Sequence, residues 1–295
     1  MAFFSRKINP KSGSKYRIPP VPLPAEGEVA EKHFRWMGWL NRIGAAILLV
    51  PAIPIILVLV FLVRLTSYGP GIYRQQRVGK NGRVFTLYKI RTMIHNAEAL
   101  TGPVWTAPND PRITKFGKLL RAVHLDELPQ LFNVLMGHMS LIGPRPERPE
   151  FTEYLAQEVP GYMKRYVVPP GITGLAQINL PPDTDVDNVR KKLLLDWEYI
   201  QTANWKLDVK ILLCTAVRLF GFSGIWAAQK LGLYRQPVIL EAVSETPRPE
   251  AKPAPEGGVP TTFPAELLPK LAGFSAASGN GARKTHAPQP TVPLS

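Results

Sequence analysis

From Ile43 to Val63 the chain reads IGAAILLVPAIPIILVLVFLV, with no charged residue between Arg42 and Arg64. At ~1.5 Å per helical residue such a run suits a bilayer core of ~30 Å. It begins too far into the sequence for a signal peptide, and no small-residue cleavage site follows it. Pro51 and Pro54 stand near its middle, and each removes an amide donor and crowds the carbonyl one turn back. A kink or break is therefore predicted there. A helix broken at that point returns to the face it entered, whereas a straight span puts its ends on opposite sides. Lys32, Arg35 and Arg42 precede the run, and Arg64, Arg74 and Arg77 follow it. Cytoplasmic flanks are the basic ones, so charge at both ends favours the re-entrant form over the span. Trp36, Trp39, Tyr68 and Tyr73 stand where interfacial anchors would.

Charge is unbalanced throughout the chain, with 36 Lys and Arg against 22 Asp and Glu, a formal +14. Such a balance implies an anionic partner: a nucleic acid, an acidic membrane surface or a phosphorylated substrate. The single cysteine, Cys214, excludes a disulfide framework and any multi-cysteine metal centre. Residues 1–33 form a basic arm with a PPVPLP run and no periodicity, expected to be disordered. Residues 241–295, rich in Pro, Ala, Gly and Ser, are expected to form a disordered tail. Within it only TFPAELLPKLAGF, from Thr262 to Phe274, has amphipathic character. Between these lie a membrane segment, 34–68, and a folded domain, 69–240.

The domain opens on two alternating runs, IYRQQRVG and RVFTLYKIRTM, around GKNG, which predicts a β-hairpin with an Asn-Gly turn. Helical stretches follow in ITKFGKLLRAVHL and LPQLFNVLM. In the second, Leu128, Leu131, Phe132 and Leu135 mark one buried face. GHMSLIGPRPERP reads as a loop before another helix, and VVPPGITGLAQI as loop and strand. VRKKLLLDWEYI and WKLDVKILLCTAVRLFGF are helices with apolar faces edged by Lys and Arg, a pattern shared by interfacial helices and by core packing. The fold class is α+β: a re-entrant membrane segment, a small hairpin and several amphipathic helices around a site.

Asp126 and Glu127 sit side by side at a helix start. Acidic residues there also serve simply to complement the helix dipole and cap its free amides. Cations crowd the neighbouring segments, however: Lys89, Arg91, Lys115, Lys118 and Arg121, with Arg145 in a tight GPRP loop. Adjacent carboxylates facing guanidinium groups suit holding a divalent metal and attacking phosphorus. A carboxylate attacks a diphosphate only when a metal and cations neutralise its charge.

The blocks RQQRVGKNGRVFTLYKIRTM, LDELPQLFNVLMGHMSLIGPRP and PPGITGLAQI resemble, in order and spacing, the signature blocks of the bacterial sugar transferases. These are small monotopic phosphoglycosyl transferases that start exopolysaccharide and other glycan assembly, and the resemblance runs from about Asn41 to Phe222. It implies transfer of a sugar 1-phosphate from a UDP-sugar to a polyprenyl phosphate such as undecaprenyl phosphate, releasing UMP. It also implies Asp126 as the nucleophile, forming an aspartyl phosphosugar, and Glu127 as a ligand of Mg2+. Lys89, Arg91, Arg121 and Arg145 fall on the family's phosphate-binding basic positions. The implied membrane segment is a helix–break–helix on the cytoplasmic leaflet of the bacterial inner membrane, in contact with anionic lipid.

The sequence departs from the family pattern in places. Ile53 stands where a serine commonly precedes the membrane proline, here Pro54; His138 replaces an aspartate, and Pro169 an arginine that Arg165 stands near enough to replace. Asp183, Asp185 and Asp187 alternate like a calcium loop but lack its glycine and terminal glutamate, and read as a solvated loop. Asp196 and Asp208 fall on acidic family positions, with surface salt bridges as the simpler expectation. The histidines show no metal-ligand spacing, and Cys214 reads as packing. A catalytically silent membrane scaffold, recruiting glycan-assembly proteins through the Pro-rich tails, is the alternative from another class, and self-association is open. No nucleic-acid-binding module is visible, so no nucleic-acid partner is expected.

Overall fold

The structure is a computed structural model that describes residues 16–99, 102–106, 110–182, 185–219 and 222–236. The predicted tail, the Thr262–Phe274 segment, Asp183 and the first half of the arm lie outside the described residues.

Helix α1, Glu31–Thr66, contains the whole apolar run and continues through Pro51 and Pro54 without interruption. The predicted break is therefore not seen as one. Proline's φ is itself helical, so the ring costs a hydrogen bond rather than the helix, here the bonds otherwise accepted by the Ile47 and Val50 carbonyls. Asn41, Ala45, Leu49, Ala52, Ile56, Leu59 and Val63 form one buried stripe at three- and four-residue spacing. The rest of the surface is apolar and open, with Val50 74% and Ile47 65% exposed against 4% for Leu49.

What covers the stripe is the domain. Strands β1, Ile72–Val78, and β2, Val84–Ile90, pair antiparallel from Ile72↔Ile90 to Val78↔Val84, as the alternation predicts. Asn81 and Gly82, both at positive φ, turn the chain between them, which is why Asn-Gly stands there. Phe85 and Leu87 of β2, with Leu131 and Val134 of α3 (Gln130–Leu135), close over Ala45, Leu49, Ala52 and Ile56. Further along, Ile90 and Leu120 of α2 (Lys115–Ala122) close over Leu59 and Val63.

A second, two-stranded sheet joins the strand expected in PGITG to one the sequence does not predict. Strand β3, Ser140–Ile142, lies inside the stretch read as a loop, and pairs parallel with β4, Gly171–Thr173. The glycines of IGPRP and PGITG permit this, since a Cβ on Gly171 would fall on the Gly143 amide and one on Gly174 on the Gly143 carbonyl. Helix α4, Pro149–Glu158, and the 3-10 turn Tyr162–Val167 follow β3; α5, Leu175–Asn179, follows β4. Helices α6, Val186–Thr202, α7, Trp205–Leu219, and α8, Gly224–Lys230, close the domain.

Helix α7 has one apolar face in the core and another left open. Ile211 and Cys214 are buried, while Trp205, Val209, Leu212 and Leu213 are exposed. Residues 16–30, read as part of the arm, have no regular element yet lie on the domain: Ile18 and Val21 pack against the cluster of Val78, Phe151 and Tyr162, and the Arg17 amide donates to Glu153.

Candidate active site

The dyad lies in a 3-10 turn, Leu125–Glu127, between α2 and α3. His124 enters it in the left-handed conformation, φ 55°, and that sharp reversal leaves the two carboxylates between β2 and the β3–α4 loop. Asn133 of α3 fastens the turn's far side to β2: its Oδ1 accepts from the Tyr88 amide at 3.1 Å, and its Nδ2 donates to the Thr86 carbonyl at 2.7 Å. An amide inside an apolar helix was the signal for this role, and the sequence reading passed over it.

Glu127 is held from two sides. Lys89 Nζ donates to its Oε1 at 2.8 Å, and Arg145 reaches Oε1 at 2.5 Å and Oε2 at 3.3 Å. Burial alone would raise this carboxyl, but Arg145 and Lys89 hold it well below the usual glutamate range. Asp126 is the opposite case. It is 7% exposed and, among the described residues, its carboxylate has no hydrogen bond or ion pair. Burial pushes its carboxyl above the ordinary value, against the pull of Lys89, Arg121 and Arg145, while the Glu127 charge adds to the rise. Arg121 donates through Nε to Thr92 Oγ1 at 2.8 Å.

Arg145 rides on a loop clamped at several points. Gly171 N donates to the Pro144 carbonyl at 2.8 Å, Arg77 to the Pro146 carbonyl at 2.9 Å, and Arg165 to the Arg145 carbonyl at 3.0 Å. Arg165 is buried, pairs with Asp196 at 2.7 Å and donates to the Tyr162 hydroxyl at 2.9 Å. Its hydrogen bonds brace the loop from behind. Asp196 is not a surface residue: at 3% exposure it forms one half of a buried pair. Asp208, also 3% exposed, takes His33 Nε2 at 2.9 Å and the Tyr199 hydroxyl at 2.8 Å, tying the start of α1 to α6 and α7.

Of the residues singled out by sequence, the structure brings Asp126, Glu127, Lys89, Arg121 and Arg145 together. Arg91 goes elsewhere. Its guanidinium is buried against the end of α1, donating to the Tyr68 carbonyl at 2.6 Å and to the Ser67 carbonyl and hydroxyl at 2.8 Å each. Pro51 and Pro54 lie on α1's exposed face, and His138 stacks at a tilt on Phe85.

Among the described residues no group of three or more His, Cys, Asp or Glu side chains is placed to hold a metal ion. The dyad's hard oxygen donors nonetheless fit magnesium, which takes one or two carboxylates and leaves its other positions to substrate phosphate and water. Glu127 Oε2, met among the described residues by Arg145 alone at 3.3 Å, keeps the lone pair such an ion needs.

Residues 34–221 match the family model described as bacterial sugar transferase. The chain belongs to that family. Over 172 residues it is 43% identical to UDP-N-acetylgalactosamine-undecaprenyl-phosphate N-acetylgalactosaminephosphotransferase of Aeromonas hydrophila, covering 58% of this chain and 40% of that protein. It is 40% identical over 182 residues to UDP-glucose:undecaprenyl-phosphate glucose-1-phosphate transferase of Caulobacter vibrioides, covering 61% of this chain and 68% of that one. The protein of the same name in Escherichia coli is 40% identical over 180 residues, covering 60% and 38%. The aligned region thus spans about two fifths of the Aeromonas and Escherichia proteins. In this family member the matched segment includes α1 from Phe34 onwards and every cation around the dyad.

Proposed function

We propose that this chain transfers a sugar 1-phosphate from a UDP-sugar to a polyprenyl phosphate, such as undecaprenyl phosphate, releasing UMP, as the first membrane step of exopolysaccharide or other glycan assembly. The names of its relatives supply the substrate classes. The observation that carries the chemistry is the unlike state of two adjacent carboxylates: Glu127 locked by cations, Asp126 buried, unpaired and next to them.

In this reading an Asp126 oxygen attacks the phosphorus that bears the sugar. The bond from that phosphorus to the bridging oxygen breaks, and UMP leaves with the electron pair. The sugar phosphate is now an acyl phosphate on Asp126. An oxygen of polyprenyl phosphate attacks the same phosphorus and frees the carboxylate, giving the polyprenyl diphosphosugar. Lys89, Arg121 and Arg145 offset the charge that gathers on the phosphoryl oxygens in both steps. Glu127 keeps Lys89 and Arg145 in place and would hold Mg2+, which would supply further charge neutralisation when bound.

For α1 we propose a seat in one leaflet, both basic ends on the cytoplasmic face of the inner membrane. The domain covers one stripe of the helix from Asn41 to Val63, so a helix crossing the bilayer would carry β2 and α3 into the lipid with it. The carbonyls of Ile47 and Val50, without their usual amide donors, are the weakest point of the helix and the place where it would bend within the lipid.

The test is UMP release by the purified chain with magnesium, undecaprenyl phosphate and a panel including UDP-glucose and UDP-N-acetylgalactosamine, the donors its relatives are named for. Acceptor-dependent UMP release and a lipid-linked sugar are expected from at least one donor. No release from any UDP-sugar contradicts the reading and favours a silent scaffold.

A further inference from the structure

A polar side chain within a lipid-seated helix is costly unless its hydrogen bonds are met. Asn41 is such a residue, 3% exposed and one place before Arg42 at the edge of the uncharged run. Both ends of its amide are used. Oδ1 accepts from the Leu141 amide at 3.1 Å, and Nδ2 donates to Ser140 Oγ at 2.7 Å. A leucine would pack there as well as asparagine, so packing does not explain the amide.

What the amide ties down explains it. In the β3–β4 pair Ser140 N donates to the Pro170 carbonyl, so by strand alternation the next amide, that of Leu141, points away from β4 at an open strand edge. Asn41 occupies that edge, satisfying an amide that burial would otherwise leave orphaned. The strand it fastens runs directly into Gly143, Pro144 and Arg145. The other end of α1 is fastened alike: Arg91 holds the Ser67 and Tyr68 carbonyls, and lies on the segment that continues from Lys89 of β2. The two cations that grip Glu127 are thus each a few residues from a polar clasp on the membrane helix.

We propose that Asn41 is a positioning residue: by clasping β3 it sets the reach of Arg145 towards Glu127, so that the seat of α1 in the membrane and the geometry of the active site are one arrangement. The inference rests on the proposed transferase function only where activity is the readout.

The test uses the full chain in detergent. Asn41→Leu lowers kcat/KM for the UDP-sugar by about tenfold, the scale of a small misplacement of a positioned group. Asn41→Asp, which still accepts from Leu141 while the Ser140 hydroxyl donates to it, restores most of that loss; Ser140→Ala shows a smaller loss in the same direction. In an Arg145→Ala background the Asn41→Leu loss disappears, since it acts through Arg145. Hydrogen exchange, read without substrate, speeds up over residues 140–147 in Asn41→Leu and is unchanged over α6. Additive losses in the double variant, or unchanged exchange over 140–147, overturn the proposal. If the wild-type chain turns over no donor, the functional reading fails and exchange alone decides this one.

Discussion

Asp126 and Glu127 are neighbours in the chain and opposites in state: Glu127 accepts from Lys89 and Arg145, while Asp126 lies buried a peptide bond away with no partner among the described residues. In the proposed mechanism this is a division of labour: Asp126 is kept free to attack the diphosphate while Glu127 gathers the cations. Asp126→Asn is therefore expected to lower turnover by about a thousandfold or more. It breaks no hydrogen bond, so thermal unfolding should show stability equal to or slightly above wild type.

The pH dependence follows from the same residue. As the proposed nucleophile Asp126 acts only when ionised, and burial first, then the Glu127 charge, lift its carboxyl above the ordinary range. The acid limb of kcat/KM should lie above the ordinary aspartate value. In stability the native state holds this proton to higher pH than the unfolded chain does, so ionising it costs stability as pH rises through the folded value. The stability gap between Asp126→Asn and wild type should therefore close on acidification, as urea titrations across pH would record.

Glu127→Gln carries the opposite sign. Arg145 and Lys89 depress this carboxyl despite its burial, so its contribution is fully present above the ordinary glutamate range and fades as pH falls towards the lower folded value. The variant should lose about 2 kcal/mol at neutral pH, the order of a charged hydrogen bond, and less in acid. Denaturant midpoints at two pH values measure both.

How far the sequence foretold this site depends on the range of the interaction. The hairpin, its Asn-Gly turn and the dyad at a helix start follow from spacing and turn chemistry, which are local. A strand was expected in PGITG, but β3 and its pairing with β4 were not, because a three-residue strand carries no periodicity and the pairing depends on the mutual approach of Gly143, Gly171 and Gly174. Arg91 was grouped with the phosphate-binding cations because sequence gives a charge and not its direction, and the Ser67 and Tyr68 carbonyls just past α1 claim it. Asp196 and Asp208 read as surface residues because their partners, Arg165, His33 and Tyr199, are brought to them by the fold. The helix break was overpredicted: prolines weaken a helix without obliging it to end.

Helix α1 has two faces with separate duties, and substitutions should separate them. Leu49, 4% exposed between β2 and α3, packs the domain, so Leu49→Ala should cost about 2–4 kcal/mol in unfolding experiments. Ile47, 65% exposed, faces outward, and Ile47→Asp should leave the domain's melting in detergent unchanged while reducing its retention in membrane pellets.

The buried pair of Arg165 and Asp196 braces the Arg145 loop from behind. Asp196→Asn should lower stability by about 3 kcal/mol, since it leaves a buried guanidinium uncompensated. Asp187→Asn, in an exposed pair with Arg190, should shift the melting temperature little.

The most direct test of the account is intact-protein and peptide mass spectrometry of the chain given UDP-sugar and magnesium without acceptor. The predicted result is the mass of one sugar phosphate on the peptide containing Asp126, formed with release of UMP and discharged when undecaprenyl phosphate is added. Steady turnover with both substrates and no such adduct, or an adduct on any other residue, contradicts it.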